Sequence, residues 1–162
     1  MSLTFDNKIQ GQHNKVQIIA CHLINAAHTK PELLKRLTTW VSNEKDNFNE
    51  HYPLAPSILL GDLNAAYHAD IDTDRMDIEP GQTEPDKIVL QCLEDMNYVD
   101  IIRFRFPKTR LVTRIATHQT NRLLDRIMAT KQIATHPHTR IGIYQHDLTQ
   151  EGSDHLLVVA DL

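Results

Sequence analysis

The stretch Ser57-Ile58-Leu59-Leu60-Gly61-Asp62-Leu63-Asn64 sets the frame for the whole chain. A short apolar run with Pro53 and Pro56 before it and Gly61 closing it reads as a buried strand bounded by turn-forming residues. Past the glycine, Asp62 and Asn64 stand two residues apart, on one face of an extended chain, as it leaves the core. The same pattern is also that of a plain strand-terminating turn, in which Asp and Asn bond nearby backbone. Strand ends are, however, where α/β proteins place their sites.

Working outward, Val16-Gln17-Ile18-Ile19-Ala20-Cys21-His22-Leu23-Ile24 is rich in β-branched and apolar residues and follows the polar, glycine-containing stretch 10–15. It predicts a second buried strand, with 3–10 as its hairpin partner. Between the two strands, Thr29 and Glu32 with Pro31 in the first turn form a capping-box pattern, since each side chain can satisfy an orphan backbone N–H. Leu33, Leu34, Leu37, Trp40 and Val41 then recur at helical spacing, so a helix should run from Lys30 to the mid-forties.

Downstream, Asp70 to Gln82 is polar, acidic and proline/glycine-bearing, and reads as a surface loop. Thr83 and Asp86 open a second capped helix whose apolar face is Val89, Leu90, Leu93 and Met96. Residues 99–106 alternate in part, as a strand should, and 123–129 and 156–160 are two more apolar runs of strand length, separated by a histidine- and proline-containing connection. The order strand, helix, strand, helix, strand, strand, strand predicts an α/β (α+β) layer protein, a mixed β-sheet flanked by helices.

A chain of 162 residues is one domain's worth, so 1–162 reads as a single domain. With 41% apolar and 23% charged residues, disorder is excluded as the dominant state. No stretch reaches the roughly 18 to 20 apolar residues of a bilayer span, and Met1 to Gln10 lacks the features of a signal peptide. Two cysteines, Cys21 and Cys92, cannot build a disulfide framework, so an intracellular protein, nuclear or cytoplasmic and without membrane, is expected. The net charge of −4 argues against coating nucleic acid by bulk electrostatics. Between Arg103 and Arg126, however, seven positive side chains meet one acid, a local +6. That run is either a solvated face or a surface for a polyanion.

Two further clusters begin where a predicted strand starts or ends. Ser153-Asp154-His155 stands just before the apolar run 156–159. Asp125 is an isolated carboxylate inside Leu123-Leu124-Asp125-Arg126-Ile127-Met128, and a charge in such a run needs a partner. Arg122 and Arg126 are at hand for a salt bridge. His136-Pro137-His138 reads as a loop, because two histidines around a proline do not easily converge on one ion.

Taken in order, these clusters resemble the endonuclease/exonuclease/phosphatase superfamily, the metal-dependent phosphodiesterases that include DNase I-like nucleases, abasic-site endonucleases and the endonucleases of non-LTR retrotransposons. Ala20-Cys21-His22-Leu23 resembles the family's histidine-bearing strand, and Ile58 to Asn64 its strand ending in Gly-Asp-Phe/Leu-Asn. Asn97-Tyr98-Val99-Asp100 with Arg103 and Pro107 is similar to the segment after its next helix. Arg122 to Thr130 resembles its Ser-Arg-Ile-Asp-Arg-Ile strand, and Ser153-Asp154-His155 its terminal Ser-Asp-His. The resemblance runs from Val16 to Leu162. It departs at Leu123, where the family's arginine is usual, and at Arg114, where an aromatic often follows the threonine. Family members also begin with another half-domain, so this chain looks like the C-terminal half of the fold, half of a four-layer α/β/β/α sandwich.

The resemblance implies a Mg²⁺-dependent phosphodiester hydrolase, with Mn²⁺ as the alternative ion. Such chemistry needs an activated water in line with the leaving oxygen and positive charge on the non-bridging oxygens. Asp62 would orient or deprotonate the water, and Asn64 would donate to a phosphate oxygen. Asp154 would help bind the metal, a hard cation that prefers carboxylates. His155 would contact the scissile phosphate, Asp125 would hold its tautomer, and His22 would be a second phosphate-facing histidine. Tyr67 and His68 would line a groove, and Arg103, Arg114, Arg122 and Arg126 would track the backbone of DNA. The leading expectation is a DNA endonuclease of retrotransposon type, inactive or not as a half-domain. The alternatives are a phosphatase or lipid-headgroup or small-molecule phosphodiesterase of the same fold, or a non-catalytic half that only binds, self-associates as a homo-oligomer, or awaits its other half.

Overall fold

Two antiparallel strands, β1 (Ser2–Ile9) and β2 (Gln12–Ala20), open the chain in the computed structural model, which describes residues 1–9, 12–23, 30–53, 55–65, 84–109, 111–113, 123–144 and 155–162. They are followed by helix α1 (Lys30–His51), strand β3 (Ser57–Asp62), helix α2 (Glu84–Asp95) and strand β4 (Tyr98–Asp100). The short helix α3 (Ile101–Arg105), strand β5 (Asp125–Thr130), the single turn α4 (Lys131–Ala134) and strands β6 (Arg140–Tyr144) and β7 (Leu157–Asp161) complete the described elements. The first five strands form one mixed sheet in the order β1-β2-β3-β5-β4, and β6 and β7 pair as a separate ribbon.

β3 lies at the centre of that sheet, parallel to β2 and antiparallel to β5. The parallel step from β2 to β3 is crossed by α1, as a parallel connection requires a long return. One face of the sheet presents Ile19, Leu59, Tyr98 and Met128 to Leu37 and Val41 of α1 and to Val89, Leu90 and Leu93 of α2. The other face presents Ile58, Ile127 and Ala129 to Ile101 and Ala134, with Ile141, Val158 and Ala160 of the ribbon packed against them. Helices, sheet and ribbon thus make three successive layers, an α/β architecture with helices on one side and further β structure on the other.

A buried polar network holds the sheet's far end. Ser57 Oγ donates to Gln17 Oε1 (2.9 Å), which leaves the Tyr98 hydroxyl to donate to Ser57 (2.7 Å). Gln17 Nε2 in turn donates to the Glu44 carbonyl of α1 (2.9 Å). Each polar group inside this part of the core thereby has a partner.

Several boundaries differ from those the sequence predicts, each for a physical reason. β2 starts at Gln12 rather than Val16, because pairing with β1 (Lys8↔His13, Asp6↔Lys15) extends the polar residues that composition assigns to a turn. α1 runs on to His51, since the buried stripe Leu37, Val41 continues to Phe48 before Pro53 stops it. The strand expected over 99–106 is only Tyr98–Asp100: Asp100 Oδ1 accepts the Arg103 N–H (3.1 Å) and caps a helix there instead. The connection read as a loop after β5 holds α4 and β6. The capping residues Thr29 and Thr83 and the loop 70–82 lie outside the described residues. No helix among those described is long and apolar enough to cross a membrane.

Candidate functional site

Three strand ends converge beside Gly61. Gly61 has φ +141°, a conformation that side chains rarely adopt, and it passes so close to β2 that a Cβ there would lie 1.8 Å from the Cys21 carbonyl oxygen. The approach is held by Cys21 N–H on the Leu60 carbonyl (3.0 Å) and Leu23 N–H on the Asp62 carbonyl (2.8 Å). On the other side of β3, Asp62 faces Asp125, the first residue of β5, across the antiparallel register. The glycine therefore lets the segment that follows β2 close on β3 at the point where its first acid emerges.

Asn64 then turns the chain. Its φ of 47° is left-handed, which asparagine tolerates better than most residues. The turn places its own N–H on Asp62 Oδ1 (2.8 Å) and its carboxamide Nδ2 on Asp62 Oδ2 (3.1 Å) and on the Leu23 carbonyl. Asp62 is thus aimed by two donors from one residue.

His155 closes the cluster from the segment preceding β7. Its Nδ1 lies 2.9 and 3.2 Å from the two oxygens of Asp125. A carboxylate only accepts, so this nitrogen carries the proton and Nε2 is turned outward. Nε2 lies 3.9 Å from Asp62 Oδ2, and on the same oxygen His22, an exposed side chain, places its Nε2 at 3.7 Å. Donor atoms of Asp62, Asp125 and His155 all lie within 4.8 Å of one another. The arrangement can pass a proton along one line, from a carboxylate through an imidazole to a reacting group. It can also gather two hard oxygen ligands and an imidazole about a divalent cation.

Of the residues the sequence singles out, the structure brings together Asp62, Asn64, Asp125, His155 and His22. Asp154, Tyr67, His68, Arg114 and Arg122 lie outside the described residues. Arg126 is not at a substrate surface: it is 1% exposed and donates to Asp100 Oδ2 (2.8 Å) and to the Ala65 carbonyl (3.2 Å). Its partner is Asp100, and the group that Asp125 contacts is His155 rather than Arg126. Arg103, only partly buried, donates from Nη1 to the carbonyls of Phe106 (3.1 Å) and Thr109 (2.7 Å). The alternation in strand β5, which turns Arg126 inward beside an outward Asp125, separates two neighbours that a charge count treats alike.

Thr113, noted in the sequence only as the threonine before Arg114, is a residue to which sequence reading gives no role. It is fully buried, and its Oγ1 accepts the N–H groups of Leu124 (3.0 Å) and Asp125 (2.9 Å). An isolated threonine in a basic stretch offers no periodicity or spacing that would mark it.

Burial pushes the Cys21 thiol up to about 11, with the Met1 ammonium pulling it down and Asp62 adding to the rise. The thiolate is the reactive form, and at pH 8 such a group carries about a hundredfold less of it than an ordinary cysteine. Cys21 should therefore resist iodoacetamide at pH 8 in the folded chain and label once urea is added, as read by mass spectrometry of the peptide. Labelling of the native chain at the rate of free glutathione would show that the thiol is not held as described.

No family model matches the sequence, and no curated protein matches it either. Solved structures do. An AP endonuclease from Archaeoglobus fulgidus superposes with a TM-score of 0.68 at 19% identity, covering 98% of this chain and 64% of its own. The 3′-5′ exonuclease NExo from Neisseria meningitidis gives 0.66 at 17%, with 99% and 70% covered. The catalytic domain of APE2 from Xenopus laevis gives 0.68 at 16%, with 99% and 53% covered. The chain thus spans between about half and 70% of these proteins' lengths. Its sheet, its helices and its ribbon share the fold of these three proteins.

Proposed function

We propose that the chain, as a single domain, is a divalent-metal-dependent phosphodiester hydrolase acting on DNA as an endonuclease. The observation that carries this reading is the line Asp125–His155–Asp62, in which Asp125 fixes the His155 ring and His155 Nε2 faces the second carboxylate. Asp125 keeps the proton on Nδ1, so Nε2 is the atom that meets a phosphate oxygen or exchanges a proton with it. Asp62, held by two donors from Asn64, is the carboxylate that orients and deprotonates water. Donation by Asn64 to a phosphate oxygen would require it to exchange one of the two bonds that its Nδ2 makes.

Two carboxylates, Asp62 and Asp125, within 4.8 Å of each other and of His155 make a neighbourhood that suits a hard cation. Mg²⁺, or Mn²⁺, would supply positive charge to the non-bridging oxygens, with Asp154, next to His155 in sequence, as its proposed ligand and Asp62, Asp125 and His155 kept for the roles above. Neighbouring folds support the substrate class, being described as an AP endonuclease and a 3′-5′ exonuclease. The retrotransposon type within this class is supported by Leu124-Asp125-Arg126-Ile127 alone.

Mg²⁺-dependent nicking of supercoiled plasmid, absent in EDTA, is the expected activity. Asp62→Asn and His155→Ala should each lower it by about 10² to 10⁴, the usual share of a positioned acid or base. Nicking that survives in EDTA, or that both variants retain, would overturn the assignment. A second reading, removal of a terminal phosphate by the same residues, is favoured by a further neighbour, described as the 3′ phosphatase NExo bound to product DNA hairpin. Release of inorganic phosphate from a 3′-phosphorylated oligonucleotide, without plasmid nicking, would select it.

A further inference from the structure

Asp125 and His155 come from segments 30 residues apart, and their contact depends on both being held to a common point. β5 begins at Asp125, and two N–H groups at this strand start are taken up by one atom: Thr113 Oγ1 accepts from Leu124 (3.0 Å) and from Asp125 itself (2.9 Å). The Thr113 carbonyl accepts the N–H of Leu156 (2.6 Å), the residue that follows His155. The Leu124 carbonyl in turn accepts the Leu63 N–H (3.1 Å), between Asp62 and Asn64. One fully buried residue therefore links, directly or through Leu124, every chain segment that carries a member of the cluster except that of His22.

The chemistry of the side chain suits this place. A hydroxyl has two acceptor lone pairs on a short stem, so it can receive two adjacent backbone N–H groups at once. Valine has the same shape and no acceptor, and would leave both N–H groups buried and unpaired. Serine keeps the acceptor. Because the Asp125–His155 contact is 2.9 Å and His155 Nε2 stands 3.9 Å from Asp62, a small shift of the β5 start changes which of these contacts is made.

The geometry points to Thr113 as a positioning residue that registers the Asp125 carboxylate and the His155 ring against each other, and so sets turnover rather than substrate affinity. This rests on the phosphodiesterase reading for its catalytic consequence, while the positioning itself is read without any activity. The test uses the full chain with Thr113→Val and Thr113→Ser, below the melting temperature of both. Amide hydrogen exchange by NMR reports the bonds: in Thr113→Val, exchange at Leu124 and Asp125 should rise by at least about tenfold, while Ile19 and Leu59 in β2 and β3 stay as they are. In plasmid nicking with Mg²⁺, Thr113→Val should lose at least about tenfold in kcat with KM within about twofold, as expected when a reacting group is misplaced and binding is untouched. Thr113→Ser should restore both readouts to within about threefold of the parent. If Thr113→Val does not fold, Thr113→Cys, a weak acceptor of similar size, should be impaired by more than the roughly threefold limit set for serine and less than the roughly tenfold loss set for valine, in both readouts. Unchanged exchange in Thr113→Val, equal impairment by serine and valine, or a loss confined to KM would each overturn the proposal. A parent chain that does not nick DNA would overturn the phosphodiesterase reading, and the exchange result alone would then decide the positioning role.

Discussion

Gly61→Ala is expected to cost at least about 3 kcal/mol of stability and to remove the Asp62 end of β3 from the folded ensemble. The added Cβ would lie 1.8 Å from the Cys21 carbonyl oxygen, 2.9 Å from its carbonyl carbon and 3.3 Å from its nitrogen, all backbone atoms. They cannot retreat independently, because the bonds Cys21 N–H to Leu60 and Leu23 N–H to Asp62 fix β2 against β3 on both sides of the glycine. Backbone strain at φ +141° adds to the collision. Urea unfolding followed by circular dichroism measures the loss. A stability within about 1 kcal/mol of the parent would show that the two strands are not held this closely. Gly142 supplies the control: the three atoms nearest to a Cβ there all belong to the Tyr144 side chain, from 2.5 Å, and that side chain is on the exposed end of β6. Gly142→Ala should cost less than about 1 kcal/mol, since the ring can rotate away.

The second large effect concerns the buried pair Asp100 and Arg126. Their side chains are 3% and 0% exposed, and the Nη1 to Oδ2 distance is 2.8 Å. Asp100→Ala leaves the guanidinium in the core without its carboxylate, a change that costs about 3 to 5 kcal/mol in comparable sites. The same substitution also removes the cap of α3, where Asp100 Oδ1 accepts from Arg103 N–H (3.1 Å). Arg126→Met should be destabilising by a similar amount, because it strands Asp100 and frees the Ala65 carbonyl. The double variant Asp100→Ala/Arg126→Met should recover part of the loss, with a coupling of at least about 1 kcal/mol in the cycle. Single variants that each lose under about 1 kcal/mol, or losses that add without coupling, would exclude the pair as a structural tie.

Much of the candidate site was legible because strand ends are written locally. Gly61, Asp62 and Asn64 sit within four residues, and the order of glycine, acid and amide fixes both the turn and the face they share. His155 beside an apolar run could be read as the start of β7, and its partner Asp125 as a carboxylate in need of one. What stayed hidden depends on contacts between distant segments. Arg126 looked like part of a cationic surface until the sheet paired Asp100 with Met128, which brings Asp100 beside the arginine in the core. Arg103 and Thr113 are likewise defined by carbonyls and N–H groups that no sequence spacing displays. β6 escaped because Arg140-Ile141-Gly142-Ile143-Tyr144, with a glycine at its centre, becomes a strand only when β7 pairs with it.

The separation of the ribbon from the five-stranded sheet has an energetic consequence for the cluster. Asp62 and Asp125 belong to the sheet, whereas His155 leads into β7, one half of a two-stranded unit whose outer residues Tyr144, Leu157 and Val159 are exposed. A two-stranded unit is marginal by itself and opens at lower cost than the central strands. What holds the ribbon is therefore its inner face, Ile141, Val158 and Ala160, against the sheet. Loss of that packing would part the histidine from the two acids while the sheet and both long helices keep their own contacts, so assembly of the cluster depends on an interface that the cluster itself does not contain.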